Sequence, residues 1–141
     1  MKTKQRIGRL LLFFALLPLC MFGGCSKEKE EYTKIGDVDF TVVEEADLPE
    51  ELKNAIEEKK KEPFRLTYLA EDALYLAQGY GEQPSGGYSI AVEGLFQAKE
   101  GLCFKTKLIG PAADEKVTTA VTHPYIVVKL QPMETEVHFL E

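Results

Sequence analysis

Residues Gln83–Val92 read QPSGGYSIAV. A polar turn containing Pro84 and Ser85 delivers two consecutive glycines, Gly86 and Gly87, and a strand begins at once with Tyr88, Ile90 and Val92 on one face. Glycine has no Cβ, so this turn can take positive φ angles, or let another backbone approach closely, at little steric cost. The period of two behind it marks one buried and one exposed face. The stretch predicts a domain built around the strand that starts at Tyr88, with the turn at its rim.

Similar runs lie on both sides. Phe64, Leu66, Tyr68 and Ala70 alternate with Arg65, Thr67 and Leu69; after Glu71-Asp72, Leu74, Leu76 and Gln78 alternate with Tyr75, Ala77 and Gly79. That pair reads as a hairpin. The strand from Tyr88 continues to Ala98, with Gly94 as a bulge or bend. Glu100-Gly101 turns the chain into Leu102–Ile109, and Gly110-Pro111 stops it. Ala112–Thr122 is a polar connection with a short strand near Val117–Val121. His123-Pro124 introduces Tyr125–Leu130, YIVVKL, the most β-prone run, and Val137–Leu140 makes a last strand.

Upstream, Phe40–Val43 is the expected first strand. In Asp47-Leu48-Pro49-Glu50, an N-cap at Asp47, an acid three positions on and a proline in the first turn predict a helix running to about Lys61. Leu48, Leu52, Ala55 and Ile56 give it a narrow apolar stripe. One helix, about seven strands and no regular βα alternation argue against a parallel sheet. The expected fold class is α+β, mainly antiparallel: a compact β sandwich or partial barrel with one helix packed on it.

The N-terminus is of another kind. Lys2, Lys4, Arg6 and Arg9 precede an apolar run from Leu10 to Phe22, shorter than the ~20 residues that span a bilayer and flanked like a signal peptide. Phe22-Gly23-Gly24-Cys25 closes it and resembles a bacterial lipobox, with phenylalanine where leucine is usual. The resemblance implies cleavage after Gly24 and a diacylglycerol on the Cys25 sulfur. Residues 1–24 are thus read as a lipoprotein signal peptide. Residues 25–34 become the lipidated cysteine and a charged tether too polar to fold, and residues 35–141 the β-rich domain.

Charge narrows the partners. Of 17 basic residues four leave with the leader, so 13 face 23 acidic ones and the formal charge moves from −6 to −10. Such a surface repels nucleic acid and anionic headgroups, which leaves the N-terminal lipid as the membrane contact. Cys103 is then the one free thiol, read as a small buried hydrophobe in its strand, and no disulfide framework exists.

Two motifs together resemble the C-terminal domain of the PrcB family of protease-complex subunits. The first is Pro84, Ser85, Gly86, Gly87 and Tyr88 with the strand behind them. The second is Pro124, Tyr125 and Lys129, followed by the terminal VHF. The resemblance spans roughly Leu66–Phe139. It implies a lipid-anchored accessory subunit on the extracytoplasmic face of a bacterial membrane, partnered with a subtilisin-like protease and stabilising that complex. These eight residues are the candidate partner-binding or structural positions.

Catalytic signatures are missing: no nucleophile elbow, HExxH, CxxC or phosphate-cradling loop occurs in the sequence. Ser85 would need a base beside it, and nothing in the spacing of His123 and His138 demands zinc. The expectation is a non-enzyme without cofactor or metal. Two alternatives are a protease inhibitor presenting loop 79–88, which resembles the loop of chagasin-type inhibitors, and a glycan-binding module using Tyr75, Tyr80 and Tyr88.

Overall fold

Residues Leu74–Tyr80 form a strand in which six of seven residues are buried, on both faces. A strand in that state needs a layer on each side. The computed structural model supplies them and describes residues 31–141; the predicted leader, the Cys25 lipobox and the tether up to residue 30 lie outside the described residues. In chain order the elements are β1 (Lys34–Asp37), β2 (Thr41–Val42), helix α1 (Glu50–Lys59), β3 (Pro63–Leu69), β4 (Leu74–Tyr80), β5 (Ser89–Ala98), β6 (Gly101–Ile109), β7 (Tyr125–Leu130) and β8 (Val137–Leu140). One sheet has the order β1-β5-β6-β8, the other β2-β7-β4-β3.

The second sheet is the middle layer. Its outer face, Phe64, Tyr75, Ala77 and Val127, packs on Leu48, Leu52 and Ile56 of the helical segment. Its inner face, Leu74, Leu76, Val128 and Leu130, packs on Leu95, Leu102 and Phe104 of the first sheet. Each large aliphatic or aromatic chain in these clusters contributes ~1.5–3 kcal/mol by leaving water. The result is the expected α+β, mainly antiparallel sandwich with one helix on it.

The organising strand differs from the one expected. It is β4, buried on both faces, whereas the Tyr88 strand, β5, is half-exposed over Ser89–Gly94. Alternation alone could not separate the two, because a fully buried strand with mixed residues has the same period as a half-buried one.

Other differences have local causes. Asp47 does not cap the helix: Glu45–Asp47 closes a separate 3-10 turn, and the α-helix starts after Pro49. Leu48 stays extended at φ −77°, ψ 143°, since a residue before proline is pushed out of the helical region. The segment KIGD, which lies before the expected first strand and begins in the expected tether, is itself β1, paired with β5 across a register shift. No strand forms at Val117–Val121; an isolated Gln83–Thr122 bridge helps to tie that connection down. Strand β8 runs parallel to β6 while every other pairing is antiparallel. The bulge is where Gly94 predicted it, between Val92 and Gly94.

Candidate partner-binding site

The glycine turn is fastened to the loop that leads into β7. Gln83 and Thr122 exchange backbone hydrogen bonds of 2.8 and 3.0 Å, and Gly86 N–H donates to the Thr118 carbonyl at 3.0 Å. Thr122 Oγ1 donates to the Ser85 carbonyl at 2.7 Å. Gly87 has φ +87°, and a Cβ there would lie 2.5 Å from Val117 Cγ1 and 2.9 Å from Pro111 Cβ. A Cβ on Gly86 would meet Thr118 Oγ1 at 2.6 Å. Both glycines thus allow close approach of the chain's own loop.

The remaining candidate residues fall around this clamp, with one exception. The Ser85 hydroxyl donates to the neighbouring Gly86 carbonyl. The Tyr88 ring lies on Gly110, where a Cβ would sit 3.3 Å from it. The Pro124 carbonyl accepts the Tyr80 N–H at 3.1 Å. Tyr125 turns its ring toward Phe64 and the helix side of the core; burial raises its phenol above the ordinary value, with Glu45 and Glu57 adding to the shift. Lys129 stands apart, four residues along β7 and so about 14 Å from Tyr125. There its ammonium lies 5.9 Å from the Tyr75 ring centroid. It lines a shallow depression of about 430 Å³ with Phe40, Thr41 and Asp72.

A second polar place was not singled out in the sequence. Gln78 and Thr106 are the two buried polar side chains of the described residues, at 3% and 0% exposure. They face each other's sheets beyond Leu76 and Phe104. The Thr106 and Tyr80 hydroxyls share a hydrogen bond of 2.6 Å, while Gln78 Oε1 has no partner among the described residues. Arg65 crosses from β3 to Glu141 at 2.7 Å nearby. The legible signal was Gln78 itself, the one amide in the inward row Leu74, Leu76, Gln78.

Other titratable groups have structural surroundings. His138 Nε2 lies 3.1 Å from the Glu100 carbonyl, with Tyr32 against its ring at 4.8 Å. His123 Nε2 lies 3.7 Å from Glu82. Cys103 is fully buried, and burial pushes its thiol up, with Glu100 adding to the shift. Of the three tyrosines proposed as a glycan platform, Tyr75 is 6% exposed and belongs to the core under the helix.

Residues 74–131 match the family model described as PrcB C-terminal. The chain is similar to the PrcB C-terminal family over this segment. No curated protein and no solved structure matches the chain. The matched segment runs from β4 through β7 and holds all eight candidate residues. It therefore contains the doubly buried strand and both halves of the loop clamp, while α1 and β3 lie before it and β8 after it.

Proposed function

We propose that the chain is a non-catalytic accessory subunit, held by a lipid on Cys25 at the extracytoplasmic face of a bacterial membrane, that binds and stabilises a surface protease. The observation that carries this reading is the PrcB C-terminal match over the central strands; the family takes its name from a protease complex. The lipobox-like stretch ending at Cys25 supports the location. No helix of the described residues is long and apolar enough to cross a membrane. The loop clamp supports a structural use of Pro84–Tyr88, since the glycines are backed by Pro111, Val117 and Thr118. An inhibitor would need that turn to enter a protease cleft.

Two measurements test the reading. Cys25→Ser should move the protein from the membrane fraction to the soluble one; retention of the variant overturns the lipid anchor. Affinity capture of the full chain from mildly detergent-extracted membranes should yield a band labelled by a fluorophosphonate serine-hydrolase probe. A capture without any labelled band, at every salt concentration, overturns the protease partnership.

A further inference from the structure

Sheet edges expose unpaired N–H and C=O groups, and proteins normally blunt them with short strands, bulges, lysines or prolines. Three of the four edges here follow that rule. Strand β2 has two residues, β8 has four, and β1 has four with a register shift. Strand β3 does not. It runs seven residues, PFRLTYL, in unbroken register with β4, and it carries no lysine, no bulge and no proline beyond its first position.

Which groups β3 leaves open follows from the ladder. Tyr80 N–H donates to Pro124 across the β7 side. Backbone groups alternate along a strand, so Tyr75, Ala77 and Gly79 of β4 face β3. Their partners Tyr68, Leu66 and Phe64 are then the hydrogen-bonded residues of β3. Arg65, Thr67 and Leu69 turn their N–H and C=O groups to the free edge, where no described strand pairs with them. All three side chains are exposed, Leu69 at 48%.

At one end of this edge lies a cavity of about 390 Å³, lined by Pro63, Arg65, Gln78, Tyr80 and Glu141 among others. Gln78 lines it while 97% buried, with Oε1 unpartnered. An orphaned buried amide oxygen has lost its hydration without a hydrogen bond in exchange, so a donor delivered into the cavity recovers that loss.

We propose that β3 is a docking edge for an extended segment of a partner protein, which adds a fifth strand to the sheet β2-β7-β4-β3 and sets a side chain bearing an N–H or O–H donor against Gln78. Strand addition draws affinity from the backbone and selectivity from such a pocket. Charge selects the kind of partner. A second copy pairing β3 with β3 would bring together two acidic chains, each of formal charge −6, and set their Glu-rich α1 helices side by side, and like-charge juxtaposition is unfavourable. The segment is therefore a neutral or basic strand from another protein. This inference stands independently of the protease reading, because it names an edge and a chemistry and not an enzyme.

The probe is a displayed library of random nine-residue peptides, panned on the full chain in detergent. Neutral or basic sequences with Asn, Gln, Ser or Thr at one fixed position should be enriched. The Arg65, Thr67 and Leu69 amides should then exchange with deuterium at least tenfold more slowly when a selected peptide is bound. Thr67→Pro removes a donor that faces only the free edge, and should weaken binding at least tenfold. Gln78→Leu should weaken the selected peptides at least tenfold, yet leave unchanged the binding of versions with Ala at the fixed position. The amide-exchange readout uses the unaltered chain and decides the matter even if Thr67→Pro folds poorly. No enrichment, or bound peptides that leave those three amides unprotected, overturns the proposal. A concentration-dependent dimer that protects the same amides without peptide also overturns it, by giving the edge to a second copy.

Discussion

Replacing Gly87 by alanine should destabilise the domain far more than the same change at Gly94. At Gly87 two costs add. A residue with a Cβ held at φ +87° loses ~1–2 kcal/mol to left-handed strain. Its methyl carbon would also fall 2.5 Å from Val117 Cγ1 and 2.9 Å from Pro111 Cβ, and such overpacking costs ~1–3 kcal/mol. The sum is about 2–5 kcal/mol, or about 8–20 °C in Tm at ~4 °C per kcal/mol for a domain near this size. At Gly94 the nearest atom to a new Cβ is Phe96 Cδ1 at 3.7 Å, an ordinary contact. Alanine there should be neutral or stabilise by up to ~1 kcal/mol, because glycine loses more chain entropy on folding. Gly86→Ala should fall between them, since the Thr118 hydroxyl it meets can rotate away. Thermal unfolding of the three full-length variants, followed by circular dichroism in one detergent buffer, gives the ranking. A Gly87→Ala protein melting within 2 °C of Gly94→Ala would refute the claim that this turn is held by its own partner loop.

Three further outcomes follow from the same packing. In Gly79→Ala the new methyl would occupy the place of the Phe64 ring, so a loss of about 3 kcal/mol is expected, partly restored by adding Phe64→Leu in a double-mutant cycle. Tyr80→Phe and Thr106→Val should each cost ~1 kcal/mol for the shared hydroxyl bond, and the double variant should lose less than their sum in urea unfolding. Cys103 should resist a thiol reagent in the native chain and react once urea exposes it. Because burial raises its thiol above the ordinary value of 9.0, its contribution to stability is full below that pH and falls as pH rises through it. Native-state labelling at the rate of a free thiol would contradict this placement.

The sequence carried most strand positions because period two survives wherever one face is covered. The hairpin β3–β4, the Gly94 bulge and YIVVKL were all legible for this reason. What it could not carry was the number of covering layers. Leu74–Tyr80 looks half-buried by pattern, yet Tyr75 and Ala77 lie under α1, and only the docking of that helix reveals it. The segment KIGD has too few apolar residues to announce a strand; it is held by pairing with β5. At the candidate site, the two motifs were visible as separate stretches. Their junction through Ser85, Gly86, Thr118 and Thr122 was not, since nothing local links positions more than thirty residues apart. The Thr106–Tyr80 bond and the unpartnered Gln78 depend in the same way on which strands face each other.

The accessory role is tested most directly by the protease captured with the full chain. Its hydrolysis of a peptide substrate and its rate of thermal inactivation should be measured with the chain bound and after it is removed. Retained hydrolysis with slower inactivation in the bound state is the predicted result. Hydrolysis suppressed by the chain, or inactivation at the same rate with and without it, would contradict the account.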